Sequence, residues 1–275
     1  MSATESSSPA PYAVVTGGSS GIGFELARQF SSNGFDVLIA AEGGEVVEAA
    51  ERVDGPGRVE ALQVDLTRRD GVERLWSHIT SAGRPVDAIA LNAGVGNAGA
   101  FVETSLDDDL DLIALNITSV VHLAKLAIAD MVARGDGKVL LTSSVASTMP
   151  GPYYATYAAS KAFVQSFAEA VRNEVADTGV TVTALMPGPT DTDFFDRAGM
   201  QGSKADEGHK DDPADVARDG FEALMAGKDH VVAGSKRNKL QSAMGKVLPQ
   251  KATAVVHGSM AKPGDASSDG GDDRG

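Results

Sequence analysis

Residues 13–23 read A-V-V-T-G-G-S-S-G-I-G, and an amphipathic pattern follows at once. The apolar run Ala13–Thr16 has the length and flanks of a short buried strand. Ile22, Leu26 and Phe30 then recur at helical spacing, so Ile22–Phe30 reads as a helix with one apolar face. Between strand and helix lies T-G-G-S-S-G-I-G, Thr16 to Gly23. Glycines in such a turn let the backbone approach a pyrophosphate. The helix start then offers free N–H groups and the positive end of its dipole. The spacing Gly17-x3-Gly21-x-Gly23 differs from G-x-G-x-x-G, but the mechanics are the same. Taken alone, the stretch also fits a plain tight strand–helix turn.

The same alternation continues outward. Short apolar runs occur at Val37–Ala41, Val59–Val64, Ala88–Asn92, Val139–Thr142, Val180–Met186 and His230–Ala233. Amphipathic stretches lie between them at Arg69–Thr80, Leu110–Ala133, Tyr157–Ala176 and Pro213–Met225. Seven short runs joined through helices predict an α/β fold: a doubly wound parallel sheet of about seven strands, with helices on both faces, in a single domain. Such a sheet binds ligands beyond the carboxyl ends of its strands.

Composition narrows the function classes. The chain has 275 residues, of which 42% are hydrophobic, enough for one large core. It has no cysteine, which excludes disulfides, thiolate metal sites and a cysteine nucleophile, and no metal site is expected. A reducing compartment follows, and a cytoplasmic location is expected. The start, MSATESSSPAP, lacks the cationic and apolar regions of a secretory signal. No apolar run approaches the roughly 20 residues needed to span a bilayer, so no membrane insertion is expected. A net charge of −14 repels phosphate backbones and argues against nucleic acid.

A second constellation is T-Y-A-A-S-K, with Tyr157 and Lys161 at i and i+4 on one helical face. A phenol titrates near 10, and an ammonium within about 4–6 Å lowers that value, which would make Tyr157 a proton donor or acceptor. A surface pair is the alternative. Ser143 and Ser144 end the run Val139–Thr142, at a strand's carboxyl end. A serine hydroxyl there can stabilise negative charge growing on a carbonyl oxygen.

Gly17-Gly18-Ser19-Ser20-Gly21 also fits the G-x-S-x-G nucleophile elbow of hydrolases, with Ser19 as nucleophile. The late histidines His209, His230 and His257 and acids such as Asp193 could complete a triad. Against this, the elbow would follow the first strand, with no earlier sheet to supply an oxyanion loop.

TGGSSGIG (16–23), Asp65 in VDL, LNAG (91–94), Asn116 in LNIT, TSS (142–144), YAASK (157–161) and PG (187–188) together resemble the short-chain dehydrogenase/reductase family, in its order, over about residues 12–235. The resemblance implies a Rossmann-type fold and NAD(P)-dependent oxidoreductase activity on a carbonyl or secondary alcohol. It implies a catalytic set of Asn116, Ser144, Tyr157 and Lys161. In it, Tyr157 is the general acid–base, Lys161 lowers its pKa and holds the nicotinamide ribose, Ser144 polarises the substrate oxygen, and Asn116 holds a relay water. Gly17, Ser19, Ser20, Gly21, Ile22 and Gly23 would form the phosphate cradle. Asp65 and Leu66 would flank the adenine, and Asn92, Ala93 and Gly94 the adenosine ribose. Pro187, Gly188 and Thr192 would meet the nicotinamide end. Leu91 stands where many relatives carry asparagine. A non-catalytic nucleotide-binding member is the alternative reading, against which the complete catalytic set argues.

Cofactor choice turns on D-V-L-I-A-A-E-G-G, residues 36–44. In the family, an acid at the tip of this strand binds the ribose hydroxyls of NAD, and NADP users often place arginine there. Aligned by Gly34, Glu42 sits one step past the commonest acidic position, which Ala41 occupies. A carboxylate about 5 Å from a phosphate charge costs on the order of 3 kcal/mol at an effective dielectric near 20. Glu42 therefore argues for NAD over NADP.

Residues 189–212 form a long loop with Phe194, Phe195 and Met200, expected to act as a mobile lid over the substrate. Val95, Ala146, Met149, Tyr153 and Tyr154 are expected opposite it. This apolar lining, without a conspicuous cationic clamp, points to a small apolar or aromatic substrate. The helices Leu110–Ala133 and Tyr157–Ala176 resemble the family's subunit-pairing helices, so a homodimer or homotetramer is expected. The domain is expected over 12–261, between a disordered lead (1–11) and a disordered acidic tail (262–275). Its C-terminal extension, 234–261, carries Lys236, Arg237, Lys239, Lys246 and Lys251 and reads as a surface helix or a partner contact.

Overall fold

The computed structural model describes residues 9–199, 201, 207–235 and 238. In chain order the elements are β1 (Tyr12–Thr16), α1 (Gly21–Ser32), β2 (Asp36–Ala41), α2 (Glu45–Arg52), β3 (Val59–Gln63), α3 (Arg69–Ser81) and β4 (Ala88–Leu91). There follow α4 (Leu106–Ile113), α5 (Ser119–Arg134), β5 (Gly137–Thr142), α6 (Ala155–Glu174), β6 (Val180–Met186), α7 (Phe194–Arg197), α8 (Pro213–Met225) and β7 (His230–Val232).

All seven strands pair in parallel, in the order β3-β2-β1-β4-β5-β6-β7. Alternate strand residues face opposite layers. Val14, Leu38 and Ile89 join Leu75 of α3, Leu123 of α5 and Val164 of α6 on one face. Val15, Ile39 and Ala90 join Phe30 of α1, Val46 of α2 and Phe221 of α8 on the other. Burial on both faces is why these strands are continuous apolar runs rather than alternating ones. Phe30 packs edge-on against Phe35 and Phe221, both at 5.2 Å, fixing α1 against α8.

The structure departs from the sequence expectations at three places. The sequence reading has no helix at α2, whose inner residues Val46, Ala49 and Ala50 follow helical spacing but over only eight residues. The helix expected from Leu110 starts at Leu106, where Ser105 caps it by accepting from Asp108 N at 3.4 Å. It then passes through a π-helical turn, Ala114–Thr118, before α5. The continuous helix Leu106–Arg134, 29 residues, is long and apolar enough to cross a membrane by length and composition, which corrects the expectation that no stretch is. Its apolarity has a local cause. It is the crossover between neighbouring strands β4 and β5, and α5 turns Leu123, Ala124, Ala127 and Met131 into the core.

Residues 1–8 of the expected lead, Met200, nearly all of the expected C-terminal extension and the acidic tail lie outside the described residues.

Candidate active site

The chain turns from one side of the sheet to the other between β1 and β4. At this switch point the loops leaving the two strands diverge and open a crevice. A cleft of about 680 Å³ lies there, running along the carboxyl ends of the strands. It brings together Ser144, Tyr157, Lys161 and every residue expected to hold the cofactor: the loop Gly17–Gly23, Glu42, Asp65, Leu66, Asn92–Gly94, Pro187, Gly188 and Thr192.

The glycine loop is packed to backbone contact. A Cβ on Gly17, whose φ is +67°, would stand 2.9 Å from Ala93 Cα, and one on Gly18 2.7 Å from Ile39 Cβ. One on Gly23 would overlap the Gly17 carbonyl. Ser20 is the N-cap of α1 but makes no side-chain cap, so the first-turn N–H groups remain for an anion. Thr16 Oγ1 accepts from Asn92 N and Ala93 N, both at 3.0 Å, tying the ends of β1 and β4. A glycine cradle at an uncapped helix N-terminus fits the diphosphate of a dinucleotide.

Tyr157 and Lys161 share a face of α6, as their spacing dictates. Lys161 is buried. Its Nζ donates to Thr142 O at 3.0 Å and lies 5.8 Å from the Tyr157 ring centroid. Burial pushes Lys161 down to about 8 and Tyr157 up to about 12. A hydrogen bond with Ser144 opposes the rise on Tyr157. Ser144 thus favours the phenolate. Ser144 Oγ also accepts from Ala146 N at 3.1 Å and lies 3.4 Å from Pro187 O. Ser143 Oγ donates to Lys161 O at 3.0 Å, pinning α6 to the end of β5.

Asn116 lies in the π-helical turn, behind the cleft wall rather than in it. Its Nδ2 donates to Val95 O at 2.9 Å and Ser160 Oγ at 3.1 Å, and its Oδ1 accepts from Val95 N at 3.0 Å. Both amide protons are thus committed to protein partners. A π turn is a frequent device for aiming one side chain out of helical register.

The short chain dehydrogenase family profile matches residues 11–201. The chain belongs to the short-chain dehydrogenase/reductase family. Among similar proteins is a short chain dehydrogenase of Pseudocercospora fijiensis, 31% identical over 66% of this chain and 60% of the relative, so the match spans less than two thirds of that protein. The oxidoreductase UcpA of Salmonella typhimurium is 29% identical over 77% of this chain and 79% of its own. Among solved structures, a short-chain dehydrogenase from Sphingobium yanoikuyae in complex with NADPH superposes with a TM-score of 0.75 at 27% identity, over 81% of this chain and 87% of that one. A family enzyme from Burkholderia phymatum in complex with NAD, 23% identical, shares the fold at a TM-score of 0.74 over 81% and 88%. This short-chain dehydrogenase/reductase is an oxidoreductase of a nicotinamide-using family.

Membership overturns the hydrolase reading of Ser19. Ser19 lies in the glycine loop, and among the described residues no histidine lines the cleft. His209 instead lies 3.6 Å from Asp211, and His230 3.1 Å from Asp229. His257 is outside the described residues.

The cleft also holds residues that sequence reasoning missed. Glu45, at the start of α2, lines it beside Glu42. Its carboxylate lies where a Cβ on Gly43 would stand, so Gly43 makes room for it. Only the unexpected helix α2 places it there. Arg197 lines the lid side, a cation absent from the expected apolar lining. Of the residues expected opposite the lid, Val95, Ala146 and Tyr154 line the cleft, and Met149 and Tyr153 do not. Phe194 reaches the Tyr157 ring at 5.3 Å. The two ends of the 189–212 loop are joined at the base, where Asp211 N donates to Pro189 O at 2.8 Å and Asp191 N to Asp211 O at 2.9 Å.

Proposed function

We propose that this short-chain dehydrogenase/reductase interconverts a small apolar or aromatic carbonyl compound and its secondary alcohol, with NAD preferred over NADP. The observation that carries the reading is the convergence of Ser144, Tyr157 and Lys161 on the cleft floored by the glycine loop. A bound nicotinamide cofactor supplies or accepts the hydride. The chain's own residues do the rest. Tyr157 Oη gives its proton to the substrate oxygen during reduction and takes it back during oxidation. Ser144 Oγ hydrogen-bonds the same oxygen and stabilises the charge that grows there. Lys161, within reach of the ring, favours the phenolate while charged. Phe194, Phe195, Val95 and Ala146 present apolar surface and exclude water.

Preference for NAD rests on Glu42 and Glu45, two carboxylates lining the cleft at the end of β2 with no arginine or lysine beside them in the lining. The substrate-side loop 189–212 acts as a lid. The enzyme is a cytoplasmic homodimer or homotetramer whose domain spans 12–261. Exposed Leu110 and Ile113 on α4, Val121 and Val132 on α5 and Phe163 on α6 supply an apolar surface for pairing. A single monomer mass by light scattering at micromolar concentration refutes the assembly.

The function is tested by following nicotinamide absorbance across a panel of neutral ketones and alcohols. Tyr157→Phe should lower kcat by roughly 10²–10⁴ while cofactor binding persists. Turnover that survives the substitution refutes the mechanism.

A further inference from the structure

Asp109 is buried, with 7% of its surface exposed, whereas its neighbours Asp107, Asp108 and Asp111 are exposed. It shares the inward face of its helix with Leu112 and Asn116, at i, i+3 and i+7, where an apolar side chain is ordinarily found. A buried carboxylate is costly unless its lone pairs are satisfied. Here three neutral donors from two other segments satisfy it. Asn97 Nδ2 donates at 2.5 Å, Thr104 Oγ1 at 3.1 Å, and the Thr156 side chain also donates. Asn97 and Thr104 belong to the segment after β4, here the wall, which meets the cleft at Val95. Thr156 immediately precedes Tyr157 in the first turn of α6.

Two further contacts join the same parts. Gly99 N, in the wall, donates to Tyr153 O at 2.8 Å. Tyr153 holds φ at +69°, a left-handed conformation that a bulky residue keeps only when its surroundings over-determine it. The wall also meets the lid, since a Cβ on Gly96 would stand 2.6 Å from the Phe194 ring. Four segments therefore meet around one carboxylate: α4, the wall, the turn into α6 and, through the wall, the lid.

We propose that Asp109 is a positioning residue: its carboxylate fastens the 95–105 wall to the first turn of α6 and so sets Tyr157 against the substrate oxygen. The inference rests on the oxidoreductase reading above. Asp109 does not touch the cofactor cradle, so its role separates from cofactor binding.

Asp109→Leu is the discriminating variant. A leucine suits an inward helix face, but it leaves the Asn97, Thr104 and Thr156 donors without their acceptor, so some stability is lost while the fold is kept. If Asp109 only filled space, this variant would keep its activity. If it positions Tyr157, kcat should fall on the order of tenfold or more, since small misplacements of reacting groups have large rate effects. KM for the cofactor should stay near wild type, and the melting temperature should fall only modestly. Amide exchange should accelerate over 95–105 and 153–158 and stay unchanged over 16–23. Thr156→Val should reproduce part of the loss in kcat. A kcat within twofold of wild type, or unchanged exchange over the wall, overturns the proposal. Exchange needs no turnover. A wild-type chain without Tyr157-dependent activity would thus defeat the oxidoreductase reading, while the fastening itself would still be judged by exchange.

Discussion

The side chain of Asn116 and the backbone of Val95 exchange two hydrogen bonds, N–H to Oδ1 at 3.0 Å and Nδ2 to C=O at 2.9 Å. The amide imitates a neighbouring strand and fixes the chain where it leaves β4. A third bond, to Ser160 Oγ, ties the same amide to α6. Asn116→Ala would remove the partners of the Val95 N–H and C=O. We expect a loss of about 1–3 kcal/mol in stability by denaturant titration and at least about a tenfold loss in kcat. An unchanged unfolding midpoint would show that the pairing is dispensable.

Lys161 sets a pH dependence whose sign follows from burial. Folding lowers its pKa from 10.5 to about 8. Below about 8 both folded and unfolded chains carry the proton, and the full penalty of burying the ammonium is present. As pH rises from there to 10.5, the folded chain has released a proton that the unfolded chain still holds, and the penalty is relieved. Lys161→Met should therefore be most stabilised relative to wild type below pH 8 and lose that advantage above 10.5. Tyr157 works in the opposite direction, since its raised pKa favours the folded state until pH climbs through about 12. For turnover, kcat/KM of carbonyl reduction should decline above pH 8 as the Lys161 charge is lost. A flat profile to pH 9.5 would contradict this, and that limit lies roughly 1.5 units past the midpoint, where the charged fraction is only a few per cent.

Glu42 and Glu45 both line the cleft just past the end of β2. Each should repel a 2′-phosphate. Glu42→Arg should raise the NADP-to-NAD ratio of kcat/KM by about 10- to 100-fold, and adding Glu45→Gln should raise it further. An unchanged ratio in the double variant would show that neither carboxylate reads the ribose.

Gly23→Ala puts a methyl group into the Gly17 carbonyl, a backbone atom that cannot swing away. The loop must open or the helix must shift. We expect about 1–3 kcal/mol of destabilisation and a matching loss of cofactor affinity, measured by thermal melting and cofactor fluorescence. Wild-type affinity in this variant would mean that the loop is looser than its packing indicates.

All seven strands, five of the helices and the glycine turn were legible in the sequence, because each is written in local periodicity and in residues with fixed backbone preferences. Ser144, Tyr157 and Lys161 were legible at a strand's carboxyl end and on one helix face, whereas Asn116, in the π turn, entered only through the resemblance to the family. Helix α2 was not, since its eight residues are shorter than the window over which a helical period is read. With it went Glu45.

By itself, then, the sequence determined the alternation, the cradle and the spacing of Tyr157 to Lys161. Tertiary structure alone decided that the Asn116 amide closes on Val95, that Lys161 turns to the Thr142 carbonyl, that Arg197 enters the cleft and that one of four aspartates in 107–111 is buried under three donors. The physical reason is range. Periodicity and turn chemistry act over a few residues. Apart from Thr104, five positions from Asp109, the partners of these buried groups lie 12 to 47 positions away on segments that crossovers bring together, and no local pattern records that meeting.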